Sequence, residues 1–171
     1  LGVPSYSANK EKKGWDAYKN GDFVTAFKKF KPLADDGDVH FQYTIGWMYK
    51  KGKGVPQDYK EAVYWYRLAA EQGLAGAQYN LGQMYRNGLG VPQDDKEAVR
   101  WWRLATEQGN SRAQINLGAM YAFGKGVIKD YVYAHMWGNI ASMNGNDKGT
   151  LLRDGFAEKM TSSQIEEAQR L

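Results

Sequence analysis

The side chains that could perform acid–base or metal chemistry in this sequence are few. The chain has two histidines, His40 and His135, and no cysteine. Neither histidine has a second His, a Cys or a pair of carboxylates at metal-ligand spacing, and His135 is expected to be a satisfied core or cap residue. Glu71 and Glu107 occupy equivalent positions of a repeat, which favours a structural role over acid–base catalysis. We therefore predict a protein that is not an enzyme, with no catalytic residue, no cofactor and no metal.

Three loops, at 52–58, 88–94 and 124–130, contain G-x-G, a pattern that also occurs in phosphate-binding loops. A phosphate cradle needs a strand before the glycines and a helix directly after them. Here a predicted helix comes before each loop, and further residues separate the glycines from the next helix. We interpret the loops as connections in which the first Gly ends one helix and the final Asp caps the next.

The spacing of acidic residues after these loops predicts how the next helices begin. Glu follows the capping Asp by three residues at Asp58 and Asp94, as in a capping box. Tyr133 replaces that Glu after Asp130, so a simpler cap is predicted there. Thr161-Ser162-Ser163-Gln164 predicts a capping box for a last helix over 162–171.

These features recur because most of the chain is a repeat of 36 residues, as shown by the spacing of Tyr49, Tyr85 and Tyr121. Such a period predicts stacked supersecondary units. Each unit pairs two helices, A and B. We expect an all-α chain with four helix pairs and a C-terminal cap.

The segment Ala77–Ala105 carries the pattern A-x-x-x-L-G-x-x-Y-x-x-G-x-G-V-P-x-D-x-x-x-A-x-x-W-x-x-x-A. This pattern resembles the Sel1-like repeat family, a helix-turn-helix relative of the tetratricopeptide repeat. The resemblance covers most of the chain and implies an α-solenoid, a tetratricopeptide-like superhelix, with a role in protein binding and scaffolding. It also implies a bacterial source and a periplasmic or secreted location, with the cytoplasm as the alternative.

We expect one repeat domain over 1–171. Its predicted parts are a degenerate first repeat (8–37), three full repeats (38–73, 74–109 and 110–145) and a C-terminal helical cap (146–171). Leu1–Ser7 is predicted to be irregular, and whether it is the mature N-terminus stays open. The third helix B is apolar nearly all round, so we expect the cap to cover Met136, Trp137 and Ile140 with an apolar stripe that includes Leu151 and Leu152.

A glycine stands in the middle of three predicted A helices, at Gly46, Gly82 and Gly118. Gly in a helix interior costs about 1 kcal/mol relative to Ala. Its recurrence predicts that the missing side chain lets the partner helix approach closely. Leu81, Gly82 and Tyr85 then mark the core face of their helix.

The positions of helix A that this core face leaves unused are the candidate binding surface, because helices A build the concave wall of a tetratricopeptide-like stack. The predicted partner-binding residues are His40, Tyr43, Trp47, Lys50, Tyr79, Gln83, Arg86, Ile115 and Phe123. Aromatic and basic side chains of this kind suit a protein or peptide with apolar and acidic side chains. The competing interpretation is that Tyr43 and Trp47 are further core residues.

Composition limits the remaining function classes. The formal net charge of +4 is mildly basic, and the basic residues are spread over several helix faces, which favours solvation over a nucleic-acid stripe. No apolar run approaches the roughly 18 residues of a membrane span. The expected protein is a monomer or weak homodimer. The alternatives are a nucleic-acid-binding module and a cell-envelope hydrolase-associated protein with weak activity.

Overall fold

The computed structural model describes residues 6–171, and this part of the chain forms α-helices without any β-strand. The helices are α1 (Tyr6–Lys19), α2 (Phe23–Asp35), α3 (Val39–Lys51), α4 (Tyr59–Glu71), α5 (Ala75–Asn87), α6 (Asp95–Glu107), α7 (Ser111–Phe123), α8 (Tyr131–Met143), α9 (Asp147–Ala157) and α10 (Ser162–Arg170). The predicted all-α class is confirmed. The predicted irregular start lies outside the described residues, apart from Tyr6 and Ser7, which belong to α1.

Contacts within the chain divide it into two compact units. Unit 1 contains the described residues up to Ala77 together with Leu89–Pro92, and unit 2 contains Gln78–Gly88 and Gln93–Leu171. Each unit has a core made by both helices of its pairs. The core of unit 1 includes Phe30, Ile45, Met48 and Trp65. The core of unit 2 includes Ala98, Val99, Trp102, Leu117 and Met120.

The mid-helix glycines at 46 and 82 have the predicted packing role, but the space they leave is filled by an aromatic ring of the paired helix. A Cβ atom added at Gly46 would lie 2.8 Å from Cδ1 of Tyr66, and one at Gly82 would lie 2.5 Å from Nε1 of Trp102. Both rings are almost fully buried. Trp102 Nε1 also donates a hydrogen bond to the Tyr79 carbonyl at 3.1 Å, which holds the indole against Gly82.

The third repeat fills the same space differently. The position of Tyr66 and Trp102 is taken by Gly138, and Leu152 of α9 occupies the space beside Gly118, where an added Cβ would lie 2.6 Å from Leu152 Cδ2. The glycine at 138 in turn lets α9 approach α8, since a Cβ there would lie 2.7 Å from the Arg153 backbone nitrogen. The C-terminal helices therefore pack on α8, and their cover of Met136, Trp137 and Ile140 stays a prediction.

The apolar stripe predicted for the cap needs one correction. Leu151 does not share this stripe with Leu152, because its side chain is 74% exposed. The two leucines are adjacent in α9, so their side chains project from different faces of the helix. Leu152 alone reaches the space beside Gly118.

The G-x-G loops are helix connections. Their first glycine is left-handed, with φ of 62° at Gly52 and 65° at Gly124, as predicted. The second glycine makes a contact that the sequence did not predict, since an added Cβ would collide with the backbone at the start of an earlier helix. These pairs are Gly54 with Phe23, Gly90 with Tyr59 and Gly126 with Asp95. Protein backbone thus packs directly against the second glycine of each loop.

Each of these loops ends in an Asp that caps the next helix. Asp94 Oδ1 accepts hydrogen bonds from the backbone N–H of Lys96 at 2.9 Å and of Glu97 at 3.1 Å. The predicted reciprocal bond from Glu97 is absent, because the Asp94 N–H already donates to the Tyr85 carbonyl. Both capping boxes predicted after the loops are therefore simple Asp caps, whereas the box predicted at Thr161 and Gln164 is present.

The caps at Asp94 and Asp130 have the same geometry, so their removal should have the same effect. Asp94→Ala and Asp130→Ala should each lower the free energy of unfolding by about 1 kcal/mol, because first-turn N–H groups lose their acceptor. Urea denaturation measures this change. Glu97→Ala is the control and should cost less than half as much, since Glu97 makes no reciprocal bond. An equal loss for Glu97→Ala would contradict this account of the cap.

Candidate partner-binding site

An aromatic cavity of about 260 Å³ lies between α1 and α3 in unit 1. Its lining residues are Trp15, Tyr18, Tyr43, Thr44 and Trp47. The ring centroids of Tyr18 and Trp47 are 6.0 Å apart, and those of Trp15 and Tyr18 are 5.6 Å apart in an edge-to-face arrangement. Rings at these distances support one another and hold the cavity walls in place.

Helix α3 positions two of the predicted site residues. Asp38 caps this helix by accepting from the His40 N–H, and Tyr43 and Trp47 follow on one face because they are four residues apart. Trp47 is half-buried: it packs against the core of unit 1 and also lines the aromatic cavity. Trp47 therefore combines the two roles that the sequence offered as alternatives, because it contacts the core and also lines the cavity.

The other two residues predicted on α3 do not line the aromatic cavity. His40 is exposed near the start of the helix, and Lys50 is half-buried near its end. Burial, assisted by the neighbouring charge of Lys51, lowers the pKa of the Lys50 ammonium. Trp15 and Tyr18 instead complete the cavity. Sequence reasoning did not identify them, because α1 lies in the degenerate repeat and lacks the 36-residue markers.

Unit 2 contains a polar cavity of about 520 Å³. It is lined by Tyr79 of α5, by Arg112, Ile115 and Asn116 of α7, and by Asn146 and Lys148 at the start of α9. Two predicted site residues, Tyr79 and Ile115, thus share one cavity. Asn116, Asn146 and Lys148 were not predicted as site residues. Asn146 and Lys148 belong to the C-terminal cap, and Asn116 is part of the repeated Asn-Leu-Gly, which indicates a structural role.

The remaining predicted residues, Gln83, Arg86 and Phe123, line a smaller cavity of about 250 Å³ in unit 2. Arg86 also forms an ion pair with Asp95, with Nη1 and Oδ1 3.4 Å apart. The Phe123 side chain is 65% exposed and stands edge-on to Phe156 of the cap. These residues therefore border an open, partly apolar surface.

The second histidine has no arrangement typical of catalysis. His135 is buried in α8, and its Nδ1 has no hydrogen-bond partner within the described chain, which differs from the satisfied residue that the sequence predicts. Burial, together with the nearby Arg153 guanidinium, lowers the pKa of this imidazole. Among residues 6–171, no group of three or more potential ligands could hold a metal ion. No helix of this part is long and apolar enough to cross a membrane.

The lowered pKa of His135 predicts a pH-dependent stability. Below about pH 7 the unfolded chain begins to bind a proton on this imidazole, whose ordinary pKa is about 6.5, while the folded chain does not. The free energy of unfolding should therefore fall as the pH drops through 6.5, until the folded-state pKa is reached. Thermal melts between pH 8 and 5.5 measure this slope.

His135→Gln should flatten this part of the pH profile, since glutamine does not titrate. The matched control is His40→Gln, which makes the same substitution at the exposed histidine. A steep slope that persists in His135→Gln would assign the pH dependence to other groups.

The sequence of the chain matches the family model described as Sel1 repeat three times, at residues 39–74, 75–110 and 111–146. No match was found among curated proteins. Among solved structures, a Sel1 repeat protein from Oxalobacter formigenes is 34% identical, with a TM-score of 0.76 over 81% of this chain and 57% of that protein.

A second similar structure is a protective antigen present in uropathogenic Escherichia coli strains and displaying an SLR fold. It is 30% identical, with a TM-score of 0.66 over 95% of this chain and 44% of that protein. Helicobacter pylori cysteine rich protein B, at 17% identity and a TM-score of 0.54 over 87% of this chain and 98% of that protein, shares the fold. This chain thus spans about half the length of the first two proteins. The matched repeats cover most of its residues, and the chain belongs to the Sel1 repeat family.

Proposed function

We propose that this protein is a non-catalytic interaction module that binds a peptide segment of a partner protein, with an apolar side chain of the partner seated in the aromatic cavity. Sel1 repeat proteins in general mediate protein–protein interactions. The observation that carries the proposal is the aromatic cavity itself, whose four rings line a space open to a ligand. Half-buried Trp and Tyr side chains of this kind frequently dominate binding energy.

The chemistry of the surroundings supports a peptide with acidic as well as apolar side chains. Lys50 and Lys51 do not line the cavity, but they follow Trp47 by three and four residues in the last turn of α3, on the same side of the helix. Cations beside an apolar site favour carboxylates on the bound segment and speed its association. The bacterial relatives support a bacterial source, and a periplasmic or secreted location is part of the proposal.

Selection from a random peptide library tests this function, because such a library offers apolar and acidic side chains in many combinations. A phage-displayed library of dodecapeptides would be selected on the wild-type protein, and the affinity of the enriched peptide measured by calorimetry. Trp47→Ala should weaken its binding by about 2 kcal/mol, which is roughly 30-fold in Kd. The matched control is Tyr64→Ala, which removes an exposed aromatic ring of α4 outside the cavity.

The stability of the variants separates a binding role from a core role. Trp47→Ala should remain folded, with a cooperative urea transition, while it loses peptide affinity. If Trp47→Ala unfolds and Trp47→Phe restores the fold, Trp47 is a core residue and the assignment of the cavity fails. Equal loss of affinity in Tyr64→Ala would also count against it.

A further inference from the structure

The polar cavity of unit 2 contains an excess of hydrogen-bond donors. Arg112 and Lys148 line it with exposed cationic side chains, and neither forms an ion pair within the described chain. Asn116 Nδ2 is buried without a hydrogen-bond partner among the same residues. Gln83 Nε2 donates to the Tyr79 hydroxyl oxygen at 2.9 Å, which leaves the hydroxyl hydrogen available for another acceptor.

Two side-chain acceptors at this cavity already receive a hydrogen bond. Asn146 Oδ1 accepts from the Lys148 backbone N–H at 3.2 Å, and Asn146 Nδ2 donates to Ser111 Oγ at 3.3 Å. Tyr79 Oη accepts from Gln83. A ligand that enters this cavity therefore meets mainly donors and positive charge, so it has to supply acceptors and negative charge.

One of the two helices that begin at the cavity, α7, adds to its positive potential. Helices α2, α3, α4, α6 and α8 begin after an aspartate cap, whereas α7 and α9, which line the cavity, begin after the neutral caps Asn110 and Asn146. The partial positive charge of the α7 N-terminus is therefore not compensated by a carboxylate in its cap or first turn, whereas α9 carries Asp147 in its first turn.

We propose that the polar cavity binds a carboxylate of an acidic peptide segment, with Arg112 and Lys148 as its charged partners and Asn116 as a neutral donor. This inference rests on the proposed function only in that the ligand is a peptide. Arg guanidinium forms paired hydrogen bonds with a carboxylate. Ile115 and the Tyr79 ring supply apolar surface for the aliphatic stem of a Glu or Asp side chain.

The charge of the site favours a carboxylate over a phosphate group. Asp147 is exposed and lies in sequence between the lining residues Asn146 and Lys148. A nearby carboxylate repels a doubly charged phosphate more strongly than a singly charged carboxylate. A cavity with two cations next to one anion is therefore better matched to a monoanionic group.

Titration of the ¹⁵N-labelled protein, followed by NMR, tests the proposal. The probe is an acetylated pentapeptide of five glutamates with an amidated C-terminus, and its counterpart is the same peptide made of glutamines. The glutamate peptide should cause saturable shifts of the Asn116 side-chain amide and of backbone signals near Arg112 and Lys148. The glutamine peptide should cause none. A third titration uses triglycine with a free C-terminus. It distinguishes binding of a terminal carboxylate from binding of a Glu side chain.

Substitutions in the cavity then identify the charged partners. Arg112→Gln and Lys148→Gln should each weaken binding of the glutamate peptide by about tenfold. The control is Lys96→Gln, because Lys96 is the second residue of α6 as Lys148 is of α9, and its N–H likewise donates to a cap. Its affinity should equal that of the wild-type protein. All three side chains are exposed, so the fold should tolerate each change.

The carboxylate site would be overturned if the glutamate peptide caused no saturable shifts, or if the glutamine peptide bound equally well. Tighter binding of inorganic phosphate at the same residues would also overturn it, as would unchanged affinity in both Arg112→Gln and Lys148→Gln. The outcome is independent of the aromatic cavity, since Trp47→Ala should leave this titration unchanged. The two proposals therefore fail separately.

Discussion

Gly82→Ala should lower the free energy of unfolding by about 3 kcal/mol, although alanine is the better helix former. The added Cβ would lie 2.5 Å from Trp102 Nε1 and 2.7 Å from Trp102 Cδ1, far inside van der Waals contact. The indole is 2% exposed and packs in the core of unit 2, so it has little room to move. Any shift also strains its hydrogen bond to the Tyr79 carbonyl.

The sign of this effect is the informative part of the experiment. Helix propensity alone would make Gly82→Ala more stable by about 1 kcal/mol. Gly155→Ala in α9 is the matched control, since nothing lies within 4 Å of a Cβ at that helical position. It should gain stability by up to about 1 kcal/mol. Urea denaturation of both variants gives the comparison, and a stabilised Gly82→Ala would show that the ring does not require the glycine.

Removal of residues 147–171 should convert the protein into a species that self-associates. Helices α9 and α10 pack on α8, and Leu152 fills the space beside Gly118. Truncation would expose the face of α8 against which α9 and α10 pack, together with that empty space. Large exposed apolar patches drive association or aggregation.

Size-exclusion chromatography with light scattering measures the result. The truncated chain should elute as a dimer or aggregate at concentrations where the full chain does not, and it should unfold at lower urea. A soluble truncated monomer of unchanged stability would mean that α8 does not depend on this cover.

Two neighbouring leucines provide a milder version of the same test. Leu152→Ala removes a side chain packed beside Gly118 and should cost about 2 kcal/mol. Leu151→Ala removes a side chain that is 74% exposed and should change stability little. Equal effects would contradict the described packing of α9.

The candidate site was only partly accessible from the sequence. Tyr43 and Trp47 could be assigned to one face of α3, because their spacing of four residues is a local property of a helix. Their neighbours Trp15 and Tyr18 belong to another helix, and no periodic marker connects them with α3. Arg112 and Lys148 are similarly distant in sequence. Residues that meet in a cavity from separate helices share no spacing that a pattern could reveal.

The buried glutamines illustrate a further limit. Gln42, Gln78 and Gln114 recur every 36 residues, which alone suggests a structural role. Only the structure shows that each accepts a hydrogen bond from the amide that ends the following helix, from Gln72 at 2.7 Å, Gln108 at 2.9 Å and Asn144 at 3.1 Å. A buried amide needs such a partner, and the partner lies about 30 residues away.

The sequence by itself determined the helix pairs, their Asp caps and the packing role of the mid-helix glycines, because hydrophobic periodicity, capping and turn chemistry act over a few residues and then repeat. The tertiary structure alone decided what occupies each space: Tyr66, Trp102 or Leu152 at the glycine of helix A, and backbone at the second glycine of each loop. It also decided that Trp47 serves both core and cavity. These outcomes depend on side-chain volume and on contacts between distant segments, which close packing settles only when all the helices are in place.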